Sequence, residues 1–424
     1  MLDPGDETNT DQNLRGPRAE RRTLSWHDRR RIARDAKRFH AWDSRRLSRS
    51  RSGVTVRQAG RTKTGRSYRY AAVAVAGAIL VILGISIGIE HLVETPIAFA
   101  HPLWRVVPDG WSSAEVLATG GETSFEDPIA LCYDTARQTL LVGDPYKDTV
   151  FQVDSAGAVT MLLTKSELEY YLGLSLSGGA DGPVALTNLG DTLFVAVSLF
   201  EGQSGEQFRS NGSILFMEPS GTVGILRDES GEPVRVPLDA ERESHHGLVG
   251  KGRALYVTSA NGGVLAIQLD ESRHVAEGTE AVLTSLRHPT ALALDDSGFL
   301  YIVDEEAAGV FRLLPNGHLD ERFRIENLEN PTGLALSPRG DLFVAESGSG
   351  GRIQWFTEIN GEPVRRGIFE RFSEEEGIAA QYRYGFQGPA IAIDPVTGAL
   401  LVADNTGSPG EAGIQPAVYR CARR

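Results

Sequence analysis

Cysteine is nearly absent from this chain: two residues in 424 cannot supply a stapling framework, and no Cys/His spacing of a structural zinc site occurs. A disulfide miniprotein and a zinc scaffold are excluded. There is no G-x-S-x-G elbow either, although a Ser/His/Asp group assembled by folding would leave no such trace in the sequence. Positive charge is scarce over most of the chain. Residues 71–424 hold 24 Lys and Arg against 48 Asp and Glu, whereas residues 1–70 hold 19 against 8. The net charge of −13 therefore averages a basic arm of +11 with an acidic remainder of −24. Apolar residues make up 41% of the chain, enough for one large core or two modest ones.

Charge and proline are both missing from Ala71 to Ile89, AAVAVAGAILVILGISIGI. Nineteen such residues reach across a hydrocarbon core of about 30 Å as a helix, so 71–90 reads as a transmembrane signal-anchor. Tyr68, Arg69 and Tyr70 on one side and Glu90 and His91 on the other suit the two interfaces. A cleaved secretory signal is the rival, because Ala98-Phe99-Ala100 has the small-x-small form of a cleavage site. Basic flanks stay cytoplasmic, which places the amino terminus inside and residues 91–424 outside, as a single-pass protein with an extracytoplasmic domain. Gly84 and Gly88 form a GxxxG pair that would let a second copy dimerise through this helix, with chance occurrence as the alternative. The arm 1–70 reads as mostly disordered. Within it, Ser25-x-x-Asp28 ahead of Ile32, Ala36 and Phe39 would start a basic helix on anionic lipid; a solvated charge run is the competing reading. No nucleic-acid module accompanies the arginines, and no nucleic-acid partner is expected.

Beyond a linker at 91–111, the sequence repeats. Pro289-Thr290-Ala291-Leu292-Ala293-Leu294, leading to Leu300-Tyr301-Ile302-Val303-Asp304, returns 42 residues later as Pro331-Thr332-Gly333-Leu334-Ala335-Leu336, leading to Leu342-Phe343-Val344-Ala345-Glu346. Further copies start at 128, 183, 245 and 389, making six units. Each unit is an apolar strand, a turn carrying Gly, a second strand and often a third, such as Gly309–Leu313. Short strands repeated at this spacing predict an all-β, six-bladed β-propeller over 112–424. Few residues remain after Val418-Tyr419-Arg420-Cys421 for an outer strand, so Ala114–Ala118 is expected to finish blade six and clasp the chain ends together. The stretches 198–212, 227–245 and 357–388 read as long insertions.

The P-x-G-L-A-L…G-x-L-Y/F-V-A-D pattern resembles NHL-type repeats and the related senescence marker protein/gluconolactonase propellers over about residues 112–422. The gluconolactonase group holds one divalent metal at the mouth of the central channel, using a Glu of the first blade and Asn or Asp at later inner strands. The resemblance thus implies Ca²⁺ as a possible cofactor, with Glu126 of Glu126-Asp127-Pro128, Asp181 and His246 as its candidate ligands. Elsewhere the sequence departs from that pattern. The positions after the repeat proline read Ile129, Val184, His246, Thr290, Thr332 and Ala390, and most lack the oxygen ligands a hard cation wants.

Residues at the starts of the inner strands should share one end of the axis. Glu126, Asp181, His246, Thr290 and Thr332 are accordingly the candidate ligand contacts of a polar channel mouth. Strand alternation allows only one of His245 and His246 to face the channel, where His246 would act as base or ligand, or serve as a hydrogen-bonded structural residue. Asp144, Asp304, Glu346 and Asp404 occupy one repeat position; they either form a ring of charge or accept hydrogen bonds from their own turns. Asn211-Gly212-Ser213 meets the glycosylation sequon. Cys132 and Cys421 fall on an inner and a third strand, too far apart to bridge, and are expected as two buried thiols. Two functions fit: a tethered module binding a protein, glycan or small ligand, which is the leading reading, or a metal-dependent hydrolase of a small lactone or ester.

Overall fold

The computed structural model describes residues 107–120, 124–176, 182–201, 209–238, 245–347, 351–370, 388–404 and 416–424. The chain divides into units Met1–Glu90 and His91–Arg424, and the described residues all belong to the second. The basic arm, the apolar run at 71–89 and the linker up to residue 106 lie outside them. Among the described residues no helix is long and apolar enough to cross a membrane.

Six sheets, antiparallel but for one two-residue parallel pair in blade three, account for the repeats. Their inner strands are Ala130–Asp134, Gly182–Leu189, Leu248–Lys251, Pro289–Leu294, Pro331–Leu336 and Ala390–Ile393. Each pairs with a buried second strand, as in Leu292↔Ile302 and Leu334↔Val344. The reversal between them needs a left-handed residue, supplied by Gly298 (φ +92°) and Gly340 (φ +83°) in blades four and five. Every inner strand touches the inner strands of the blades before and after it, and the last meets the first, so the six close into a ring about a common axis. The crowding is tight. A Cβ at Gly247 would stand 2.6 Å from the Leu292 amide nitrogen of the next blade.

Ring closure uses the predicted clasp. Glu115–Thr119 pairs antiparallel with Ala417–Cys421, from Glu115↔Arg420 to Thr119↔Ala417, as the outer strand of blade six. The Ser112 N–H donates to the Ala422 carbonyl at 2.7 Å, and the Arg424 N–H to the Gly110 carbonyl at 2.8 Å. Just before this strand, Trp111 is buried edge-on against Phe343, Trp355 and Phe369 of blade five, sealing the seam between the last two blades.

The expected insertions are only partly loops. Part of 357–388 is a long hairpin, Arg352–Ile359 with Glu362–Glu370, turning at Asn360-Gly361 with both φ positive, the sequence and geometry of a tight β-hairpin turn. From 227–245, Arg235–Val236 joins blade two, and Arg227–Asp228 crosses to pair in parallel with Val275–Ala276 of blade three, strapping two blades together. Asn211 of the sequon is paired within a strand opposite Leu199. Both thiols are free; Cys421 is buried, Cys132 is partly exposed, and burial pushes each up to about 12.

Candidate functional site

The mouth of the channel is built from the leads into the inner strands. A cavity of about 70 Å³ on the axis is lined by residues of all six blades, among them Ile129, Ala185, His246, Thr290, Thr332 and Ala390. That volume accommodates a few waters or a small polar group, well below the size of a drug-binding pocket. His245 also lines it, which corrects the expectation that one histidine of the pair would turn away. The reason is local: strand pairing in blade three begins at Leu248, so His245 and His246 lie in an extended lead where strand alternation does not apply.

The polar atoms at this mouth differ in how well they are matched. The Thr258 hydroxyl accepts from the Gly247 N–H at 3.0 Å and lies 3.4 Å from His246 Nδ1. The Thr290 hydroxyl donates to the Pro331 carbonyl at 3.3 Å. Thr332 Oγ1 and His245 Nε2, both buried, have no hydrogen-bond partner among the described residues. Burial drives the His245 imidazole down to about 4, against the opposing pull of the Glu305 carboxylate and a hydrogen bond with the Gly388 backbone. At neutral pH His245 is therefore uncharged. With its other nitrogen engaged at Gly388, Nε2 is left as a buried acceptor.

Carboxylates surround this mouth but are engaged elsewhere. Glu126 is not among the lining residues: its side chain is ion-paired with Lys147, and its N–H donates to Asp144 Oδ2 at 2.5 Å. Asp181 lies outside the described residues. Glu305 holds the imidazole of His288 at 2.8 Å. The acids at the repeat position are buried, and three of them, Asp144, Asp304 and Glu346, bind more than their own turns. Asp144 accepts from Glu126, Asp127 and Lys147, and Asp304 from Arg287, His288 and Ala307. Glu346 accepts from the Glu329 N–H and from Arg352 and Gln354. Each thus fixes the segment entering its inner strand, and through it the mouth.

Among the described residues, no three His, Cys, Asp or Glu side chains are grouped as a metal site. A calcium ion takes six to eight oxygens. The described lining offers two imidazoles and two hydroxyls, and Glu126 is held by Lys147, so this donor set does not fit such an ion.

Sequence reasoning missed His245, His288 and Glu305. A signal for two of them was present: His245 stands where five other repeats carry proline, and His288 is the residue immediately before one of those prolines.

No protein-family model and no curated protein matches the sequence. Several solved structures are similar at low identity. Virginiamycin B lyase from Staphylococcus aureus is 13% identical, with 73% of this chain and 99% of that chain covered and a TM-score of 0.45. A calcium-binding protein, regucalcin, from Agrobacterium tumefaciens is 13% identical over 75% of this chain and 96% of that one, TM-score 0.47. The soluble aldose sugar dehydrogenase from Escherichia coli is 12% identical over 74% and 99%, TM-score 0.48. The assignment as a six-bladed β-propeller rests on this chain's own strand pairing and ring closure.

Proposed function

We propose that the chain is a membrane-tethered, extracytoplasmic propeller that binds a small, neutral, hydroxyl-bearing ligand at the mouth of its channel. One observation carries the reading: a cavity on the axis contains a buried, uncharged histidine with an acceptor nitrogen left over and a buried threonine hydroxyl without a partner. Buried polar groups are nearly always matched, and a hydroxyl can donate to His245 Nε2 while accepting from Thr332 Oγ1. Among the described lining residues there is no carboxylate or ammonium group, so these residues offer a charged ligand no counter-ion. The terminal hydroxyls of a glycan meet the same requirement. The tether is supported by the uncharged run 71–89 behind nineteen basic residues, with anionic lipid contacting the arm and Gly84 and Gly88 pairing two copies.

The test uses the full chain in detergent and calorimetric titration with glycerol, glucose and glucono-1,5-lactone. Saturable heat from at least one probe, lost in His245→Phe and in Thr332→Val, supports the proposal; no heat from any of them rejects it. For the tether, protease added to intact cells should remove the propeller and leave a small basic fragment, whereas recovery of soluble protein starting at His101 contradicts it.

Hydrolysis of a small lactone or ester is the second reading, and His245 is what favours it, since a neutral imidazole with a free nitrogen can take a proton from water. Turnover of glucono-1,5-lactone that disappears in His245→Phe would establish it over binding alone.

A further inference from the structure

A second cavity, of about 90 Å³, lies between blades five and six on the opposite face, where the inner strands end. Its residues come from four places: the turn of blade five (Ser337 to Asp341), the strand that follows it (Phe343), the turn of blade six (Pro395 to Gly398), and the two ends of the propeller joined in the clasp, through Trp111 and Arg423. Trp111 is 2% exposed, yet its indole N–H has no acceptor among the described residues. The neighbouring Trp355 shows how the site treats such a group, because its indole N–H donates to Asp341 Oδ1 at 3.1 Å. Asp341 cannot readily serve both. It also receives the Arg423 guanidinium at 2.5 Å and the Ser337 hydroxyl at 3.4 Å.

The charges point to the missing partner. Arg423 lies over Trp111 and Trp355, 5.8 and 5.3 Å from the ring centroids, and Arg339 is exposed at the rim. Among the described lining residues, two arginines stand against the single carboxylate of Asp341, which is paired with Arg423, so the Arg339 charge at the rim is the surplus one. Pro395 and Val396, the latter 70% exposed, provide apolar surface at the opening. We propose that this cavity binds a small carboxylate with a short aliphatic tail. One carboxylate oxygen accepts from the Trp111 indole N–H, the charge faces Arg339 and Arg423, and the tail lies on Pro395 and Val396. A charge-assisted hydrogen bond from a buried donor is among the stronger polar contacts, and guanidinium groups suit carboxylates geometrically. Because Trp111 precedes the first strand of the clasp and Arg423 follows its partner, a ligand here holds both chain ends and stabilises ring closure by mass action. The site shares no residue with the channel mouth and does not depend on the function proposed for it.

Thermal unfolding of the full chain, read by circular dichroism at constant ionic strength, tests this with propionate as probe and propionamide as its uncharged counterpart. Propionate should raise the midpoint saturably and propionamide should not. Arg339→Gln, an exposed substitution that leaves the core intact, should weaken the response several-fold, and Trp111→Phe, which keeps the ring and removes the donor, roughly tenfold. If Trp111→Phe does not fold, Arg339→Gln alone decides. Equal responses to the two probes, an unchanged response in Arg339→Gln, or no saturable response up to about 50 mM propionate would overturn the proposal.

Discussion

Lowering the pH should strain the channel mouth before the rest of the propeller, because His245 is folded in as a neutral group. An exposed histidine takes up its proton near 6.5, whereas burial holds His245 down to about 4. Between those values the unfolded chain binds more protons than the folded one, so stability is fully present above pH 6.5, is lost as pH falls, and levels off below about 4. A displacement of that size is worth about 3 kcal/mol, at 1.36 kcal/mol for each pH unit. Glu305 pulls the other way, so Glu305→Gln should deepen the loss. Burial also raises Asp144; subtracting a His245→Gln profile removes this and every other contribution that the two proteins share. Urea unfolding followed by circular dichroism from pH 7.5 to 4.5 would give both curves. The wild type should lose about 2–3 kcal/mol more than His245→Gln across this range. Parallel curves within roughly 0.5 kcal/mol would refute the neutral, buried imidazole and with it the acceptor role of Nε2.

Three other outcomes are expected. A chain beginning at Glu126 should melt well below one beginning at His101, since it lacks Trp111 and the strand Glu115–Thr119; Trp111→Ala alone should cost about 3–5 kcal/mol, and equal melting temperatures would disprove the clasp. Gly388→Ala should destabilise by about 1–3 kcal/mol and abolish ligand heat at the channel, because Gly388 has φ +89° and a Cβ there would strike the Thr332 hydroxyl; wild-type titration by this variant would contradict the placement of Thr332. Asp304→Ala strips the acceptor from the N–H groups of Arg287, His288 and Ala307, with an expected loss of about 2–4 kcal/mol in urea unfolding, whereas a surface-like effect under 0.5 kcal/mol would mean the carboxylate is not holding that loop.

The blades were legible in the sequence because each is a local object. Alternating apolar residues, a glycine turn and a returning strand lie within about twenty residues of one another, and the repeat at 289 and 331 states the unit twice in nearly the same letters. The closing strand was legible for a similar reason: an apolar strand stands ahead of the first unit without a partner in it, and its pairing with the last strand of blade six covers both edges. Hairpin length and cross-blade pairing are less visible: 357–388 reads as one long insertion although Asn360-Gly361 marks a hairpin turn within it, and the strap from Arg227–Asp228 to blade three leaves no local signal. The site was harder still, since its members come from blades whose starts lie 42 to 62 residues apart and no periodicity says which way a side chain turns before pairing begins. The sequence by itself determined a repeated all-β chain with an uncharged run behind a basic arm, and it placed His246, Thr290 and Thr332 at equivalent strand starts. Only the tertiary structure decided that Glu126 is spent on Lys147, that His245 joins His246 in the cavity, and that the Trp111 indole N–H is left without a partner, because each depends on which neighbour the ring brings within hydrogen-bonding distance.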